Sequence, residues 1–455
     1  MTETNLTEFA PDLREVENLF SEYGEFNIRH EFKASGDKVV NTVTVRGKTY
    51  AFGTLISAAD NVERKRLVKR YAKLSVYKAL SSVLGVKLPW GSLTGIRPTK
   101  LAYSALKSSG EFTDFFKNVL MVSDEKTSLT EEVILSQKPF YETAAGGTDF
   151  FVFIPFCPSR CEYCSFISRD VRGAEGLVDE YVDALIGEIE QSARLIKNLR
   201  SIYVGGGTPV ALSDKNLDRV LCALDKINSG VEYTVEAGRP DAITRENLAI
   251  LKAHGVTRVC VNPQTFCDAT LKRIGRKHTA ADVYRAAEFV RGEFDFNMDL
   301  IAGLIGEDFS VFCDSLEKAI NLCPDNITVH TLCVKKGSYL ADRAENLSSG
   351  DVERCVSYAR ERLKAAGYSP YYLYRQKYAA GNLENVGYSK PEKQCAFNID
   401  TMEEITDVVA CGANAINKRV KDFGERIERY ASPKDVKTYL AKIEEIMRLK
   451  RLFFA

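Results

Sequence analysis

The ten residues Phe156-Cys-Pro-Ser-Arg-Cys-Glu-Tyr-Cys-Ser165 decide how this chain is read. They bring Cys157, Cys161 and Cys164 together with C-x3-C-x2-C spacing. The preceding run, Asp149–Phe156, is apolar and reads as a strand, so the motif falls at that strand's C-terminal end. Iron–sulfur clusters normally take four cysteine thiolates. Here three are close and nothing nearby offers a fourth. Three thiolates around a cuboidal cluster leave one iron open. An open iron can chelate an amine and a carboxylate, and S-adenosylmethionine (SAM) carries both. An electron passed into its sulfonium would cleave a C–S bond and yield a carbon radical, with the protein positioning and shielding the cofactor. The alternative is a zinc site built from the three cysteines, with or without a histidine. The four histidines, His30, His254, His278 and His330, all lie outside the loop. Pro155 and Pro158 stiffen it.

Outward from the motif, short β-prone runs alternate with amphipathic ones. The expected strands are Asp149–Phe156, Ser201–Val204, Val231–Glu236, Arg258–Asn262, Phe294–Leu300 and Asn326–Val334. The expected helices between them include Glu180–Leu199, Lys215–Ile227, Arg245–His254, Ala280–Gly292 and Ser310–Leu322. Strands joined by helical crossovers are parallel. Six such units predict an α/β fold: an open, partial TIM-like (β/α)6 barrel with its chemistry on the loops after the strands. Polar groups stand at those ends. Tyr203-Val-Gly-Gly-Gly-Thr-Pro209 ends the second strand, and glycines let backbone approach a ligand closely. Glu236 ends the third. Gln264 follows the fourth, Asp299 lies in the fifth, and Arg276 offers a cation for a carboxylate. Tyr163, between two cysteines, offers a flat surface for an adenine. Each of these residues also has a plainer reading, as a tight turn, a barrel salt bridge or core packing.

Residues 1–145 read as a separate α/β unit. Lys38 to Thr54 alternates as a hairpin, and Ala58 to Leu84 has helical spacing with a solvated basic face at Arg64–Lys73. Gly146-Gly147 marks a linker to the barrel at 146–385. Residues 386–455 read as a mainly helical extension, with an amphipathic helix over Pro433–Leu452. The aromatic run Tyr371–Tyr378 reads as an added strand or as a wall against substrate.

Over all 455 residues, Lys+Arg and Asp+Glu balance at 62 each. That balance gives no support for a nucleic-acid or membrane-surface partner, since both select a basic excess. Met1 to Glu17 is acidic and has no apolar core, unlike a signal peptide. No apolar run reaches the roughly 18 residues of a membrane span. The expected location is cytoplasmic, where thiols stay reduced. The other nine of the twelve cysteines then serve as small buried hydrophobes.

The segments FIPFCPSRCEYCSF (153–166), GGGTP (205–209), VEAGRPD (235–241), QTFCDATLKRIGRKH (264–278) and NMDLIAGLIGE (297–307) resemble the oxygen-independent coproporphyrinogen III oxidase family of radical SAM proteins. The long N-terminal unit, GIRPTKL (95–101) and YYLYRQKYAAGNLENVGY (371–388) are similar to its HemZ-type branch. The resemblance implies a [4Fe–4S] cluster on Cys157, Cys161 and Cys164. It implies SAM contacts at Phe151, Tyr163, Gly206, Gly207, Thr208, Glu236, Gln264, Arg276 and Asp299, some of them to a second SAM. It also implies oxidative decarboxylation of coproporphyrinogen III propionates to vinyl groups, in anaerobic porphyrin and haem biosynthesis. The partners implied are that tetrapyrrole and an electron donor such as flavodoxin or ferredoxin. Four substrate carboxylates call for cationic clamps, and Arg97, Arg239, Arg375 and Lys377 are the candidates by position. The best-known member has tyrosine at Phe151, histidine at Phe153 and a further cysteine at Phe166. A Cys-x-Phe ending is shared with the haem-chaperone branch. The alternative is therefore a haem-binding transfer protein with His278, His330 or a free cysteine as axial ligand, or another radical SAM reaction on a tetrapyrrole.

Overall fold

Alternation of Val39, Val43 and Val45 with solvent-facing residues gives β3 (Lys38–Val45) one buried face. In this computed structural model, which describes residues 2–164, 169–333, 349–377, 379–421, 424 and 426–455, β3 pairs antiparallel with β2 (Ile28–Ser35) and β4 (Lys48–Leu55). β1 (Thr2–Thr4) adds in parallel at the edge. The expected hairpin turns at Arg46-Gly47, where both residues have positive φ. Of the first helices, α1 (Ala10–Asn18), α2 (Asn61–Leu84) and α3 (Pro98–Ser109), α2 buries Val76, Tyr77 and Leu80 with Val43 and Phe20 in one core. Asp60 caps α2 by accepting from the Glu63 amide, and Gly85 ends it with φ +69°. Both are ordinary stop and start signals.

The chain divides into two compact units, Met1–Glu131 and Glu132–Ala455. The division differs from the breaks expected at 145 and 385, for two physical reasons. The second half of α4 (Asp124–Thr143) is tied into the later unit, where Gln137 and Tyr141 donate to Glu403 at 3.0 and 3.2 Å. Residues after 385 complete the barrel rather than follow it.

All six expected strands form, as β5 (Thr148–Ile154), β8 (Leu199–Gly206), β9 (Glu232–Gly238), β10 (Arg258–Val261), β11 (Asp295–Ala302) and β12 (Asn326–Thr331). They pair in parallel in that order. The short pair β6 (Phe156–Cys157) and β7 (Arg169–Asp170) lies beyond the end of β5. The crossovers are α5 (Glu175–Ser192), α6 (Asp214–Asp225), α7 (Arg245–Ala253), α8 (Asp268–Arg273) with α9 (Ala280–Val290), and α10 (Phe309–Asn321). The six parallel strands and their crossover helices form the expected partial barrel.

Beyond β12 the sheet continues antiparallel. The helix α11 (Ser349–Ala365) leads to β13 (Ser369–Arg375), which pairs with β14 (Glu384–Ser389), itself beside β12. The aromatic run is thus an added strand over its first part, while Tyr378 lies outside the described residues. The helical extension is present in α12 (Ala396–Glu403), α13 (Val436–Ala441) and α14 (Ile443–Phe454). It also holds three strands absent from the sequence reading: β15 (Asp407–Cys411), β16 (Ile416–Lys421) and β17 (Arg426–Ala431). β16 and β17 are rich in charge, as edge strands often are, and so do not resemble the apolar barrel strands. β15 pairs in parallel with β5, as a seventh parallel strand on the opposite edge from β14.

The link from β14 to β15 crosses beneath the barrel and touches the N-terminal strand ends in order. Lys393 reaches Asp295 at 2.5 Å, and its carbonyl accepts from Asn326 at 2.7 Å. The amides of Ala396 and Phe397 donate to Glu232 at 3.1 and 3.3 Å. Asp400 pairs with Arg200 and Thr406 donates to Asp149. This bottom plug leaves the opposite, C-terminal end of the strands free for a site.

Candidate functional site

The cysteine loop is held by backbone from the next strand's end. The Gly207 amide donates to the Ile154 carbonyl at 2.7 Å and the Thr208 amide to the Phe156 carbonyl at 2.8 Å. A Cβ on Gly207 would stand 2.4 Å from the Phe156 carbonyl oxygen, so only glycine permits this approach. The Gly206 amide points to Glu236 at 3.3 Å. The glycine amides are therefore spent within the protein. Thr208 also donates through its hydroxyl to the Cys157 sulfur at 3.5 Å. On the loop's other flank, the Glu162 amide donates to Ile274 at 3.0 Å, and Arg239 holds Ser159 and Asp241. Phe166 lies outside the described residues.

A cavity of about 470 Å³ opens beneath the loop. All nine residues expected to contact SAM line it, as do the three cysteines. Its lining is of two kinds. Phe151, Phe153, Tyr203, Tyr371, Tyr372, Tyr374 and Phe397 form an aromatic wall. Phe397 of α12 stacks on Tyr203 with centroids 4.2 Å apart and on Phe151 at 5.7 Å. Tyr372 passes over Gly387, where any Cβ would strike its ring, and meets the Thr328 hydroxyl at 3.2 Å. The rest of the lining is mostly polar. Asn297 and Asp299 on β11, and Asn326, Thr328 and His330 on β12, project inward at every second position, as strand geometry requires.

Glu236 accepts from the Tyr203 hydroxyl at 2.5 Å, and burial pushes its carboxyl up to about 7. Asp299 moves the other way. Burial acts to raise it, but the neighbouring His330 and hydrogen bonds that include Asn297 at 2.8 Å outweigh burial and hold it ionised. Arg276 donates to the Asn262 carbonyl at 2.6 Å and to the Tyr163 hydroxyl at 3.1 Å, bridging the cysteine loop to β10's end. Gln264 adopts φ +68°, an uncommon conformation for a residue with a side chain. Its backbone bridges to β11 through Asp299 and Ile301.

The polar wall carries atoms that the protein leaves unpaired. The buried side-chain oxygens of Thr234, Asn262 and Gln264, and the Nε atoms of Arg258 and Arg276, make no hydrogen bond. Each such group costs about 1–3 kcal/mol unless a ligand satisfies it. This mixture of donors and acceptors, in one cavity with an aromatic wall, suits the amino-acid and nucleoside parts of SAM. The sulfurs also bear on the metal. Among the described residues, the one group of His, Cys, Asp and Glu ligand atoms converging within 4.8 Å lies elsewhere. At least one pair of the three thiols therefore lies more than 4.8 Å apart, beyond the roughly 3.3–3.8 Å that a single tetrahedral zinc ion sets between its ligands. Such a spread suits a larger cluster.

Two of the expected cationic clamps are committed elsewhere. Arg239 serves the cysteine loop, and Arg375 donates to the Asn382 carbonyl at 2.9 Å. His278 is buried, and burial with Arg276 pushes it down to about 3. Tyr203, Arg258, Asn262, Phe397, Asn326 and Thr328 were not expected in the wall, while His330, expected as a candidate haem ligand, lines it. For β11 and β12 the signal was legible as polar residues recurring at period two inside apolar strands.

Fold and site define the class: a radical SAM protein, built on the partial barrel, whose cofactors are a [4Fe–4S] cluster and SAM. Residues 151–319 match the Radical SAM superfamily. The oxygen-independent coproporphyrinogen-III oxidase-like protein HemZ of Bacillus subtilis is 33% identical over 95% of this chain and 93% of its own length. The heme chaperone HemW of Haemophilus influenzae is 28% identical over 64% of this chain and 75% of its own. The solved structure of Escherichia coli coproporphyrinogen III oxidase, HemN, shares the fold with a TM-score of 0.54 at 22% identity, over 68% of this chain and 72% of that one. The chain belongs to the HemZ family of oxygen-independent coproporphyrinogen-III oxidase-like radical SAM proteins. No helix among the described residues is long and apolar enough to cross a membrane.

Proposed function

We propose that this protein oxidatively decarboxylates propionate side chains of coproporphyrinogen III to vinyl groups, drawing electrons from a small carrier such as flavodoxin or ferredoxin. The carrying observation is the single cavity in which three thiols, a polar wall with unpaired atoms and an aromatic wall meet. When bound, the cluster and SAM would supply a carbon radical able to take a hydrogen atom from the propionate β-carbon, and loss of CO2 with passage of one electron to a one-electron acceptor would then leave the vinyl group. Cys157, Cys161 and Cys164 hold the cluster. Glu236, Gln264, Arg276 and Asp299 bind the polar groups of SAM, with Tyr163, Phe151, Gly206, Gly207 and Thr208 closing around it. Tyr371, Tyr372 and Tyr374 present flat faces and hydroxyls to a tetrapyrrole. The aromatic wall also excludes water, which protects a radical from side reactions.

The test is anaerobic incubation of the cluster-loaded protein with coproporphyrinogen III, SAM and a low-potential reductant. Vinyl-bearing product, one CO2 per vinyl group, is the expected result. SAM cleavage without vinyl product, or stoichiometric haem uptake alone, overturns the reading in favour of another tetrapyrrole reaction or a haem-transfer role.

A further inference from the structure

We propose that Asp218, Cys222 and His254 form a binding site for a thiophilic divalent cation of the zinc type, on the outer helices of the barrel and separate from the cavity. Asp218 and Cys222 are four residues apart on α6, so they share one face of the helix. His254 sits at the C-terminal cap of α7, the next helix. Its Nε2 lies 3.1 Å from one Asp218 oxygen, and the Cys222 sulfur lies 3.9 Å from the other. The three ligand atoms all fall within 4.8 Å of one another. An ion with bonds of about 2.0–2.3 Å needs its ligands about 3.3–3.8 Å apart. Small side-chain rotations therefore satisfy it, without backbone movement.

Two further features favour a metal. First, Asp225 meets the Nδ1 of His254 at 2.7 Å. A carboxylate on the remote nitrogen fixes the tautomer and turns the other nitrogen outward as a ligand, an arrangement typical of histidines on metals. Second, the donor set is one sulfur, one nitrogen and one oxygen, the mixture that selects zinc over magnesium or calcium. A plain ion pair is the rival description. The two carboxylates would then hold a protonated imidazole, since both raise its affinity for a proton against the effect of burial. In that arrangement Cys222 only donates a long thiol hydrogen bond to Asp218, whereas a metal would take its sulfur as a ligand. The nearby Lys226 does not fill the site, because its ammonium is bound to Glu190 of α5 at 2.5 Å.

A bound ion would staple the end of α7 to the middle of α6. The test uses the cluster-loaded full-length protein, titrated anaerobically with Zn2+ against a colorimetric chelator while iron content and visible absorbance are followed. The expected result is one zinc per chain with the cluster unchanged, and a rise in Tm. Cys222→Ser and His254→Ala should each weaken zinc binding at least tenfold. Asp225→Asn should weaken it by about 10–100-fold through loss of the orienting carboxylate. Circular dichroism checks that these surface variants remain folded. Zinc that binds equally to all variants, binds only as iron is lost, or does not bind at all overturns the proposal. So does a Tm that falls in His254→Ala and is indifferent to zinc in the parent, which is the signature of the ion pair.

Discussion

At the scale of single residues, the site's behaviour follows from burial and close approach. Glu236 shows it through pH. Its carboxyl rises from an ordinary 4.5 to about 7 because folding takes it out of water. Between those values the folded state holds a proton that the unfolded state has released, so stability falls as pH rises through that window. One edge of the carboxylate faces the cavity, which limits the effect to about 2 kcal/mol. Urea denaturation of the cofactor-free protein from pH 4.5 to 8 should show this slope, and Glu236→Gln should flatten it. Gly207→Ala should act on the loop instead. A methyl group 2.4 Å from the Phe156 carbonyl oxygen forces the cysteine loop outward. Iron incorporation should fall severalfold while far-ultraviolet circular dichroism stays near the parent's. Cys161→Ala should abolish the cluster's visible absorbance; a full cluster in that variant would contradict the ligand assignment. The sequence showed that Gly207 matters but not how. Its Cβ direction is blocked by the Phe156 carbonyl and its amide is spent on Ile154, which only the folded backbone reveals.

At the scale of elements, strands whose side chains face one environment were legible, and those whose environment changes along the chain were not. β5, β8, β9, β10, β11 and β12 are apolar runs bounded by turns, and their helices carry clear amphipathic stripes. β15 escaped because its parallel partner β5 lies more than 250 residues earlier, and β16 and β17, a local hairpin, because their charge masks the strand pattern. α12 escaped as a site element for the same reason as β15. It is an ordinary short helix in sequence, yet it sets Phe397 against Tyr203 and Phe151. Phe397→Ala should cost about 3 kcal/mol in chemical denaturation, in the range for a buried aromatic side chain. It should also weaken SAM binding by enlarging the wall, measurable by equilibrium dialysis. Unchanged stability would mean that the bottom plug does not pack as described.

At the scale of the whole molecule, the chain's end is locked to its barrel. Lys450 of α14 is fully buried and donates to Glu188 of α5 at 2.6 Å and to the Ala410 carbonyl at 2.8 Å. Tyr439 and the Gly412 amide complete the partners of Glu188 at 2.6 and 2.8 Å. Breaking a buried pair strands a charge. Lys450→Met should therefore destabilise the second unit by about 3–5 kcal/mol, read by denaturant midpoint. Adding Glu188→Gln should recover part of the loss; no recovery would place the cost in packing rather than charge. The sequence by itself determined the cysteine loop, its cofactor class, the six parallel strands and the polar strand ends, because spacing and periodicity are local properties of the chain. Tertiary structure alone decided three other matters: β15 as the seventh parallel strand, the plug beneath the barrel, and the commitment of Arg239 and Arg375 to the fold. The first two, and the hold of Arg239 on Ser159, depend on groups brought together across large sequence separations, whereas Arg375 turns back onto Asn382 only seven residues on. What a side chain is free to do depends on which neighbours the fold has already given it.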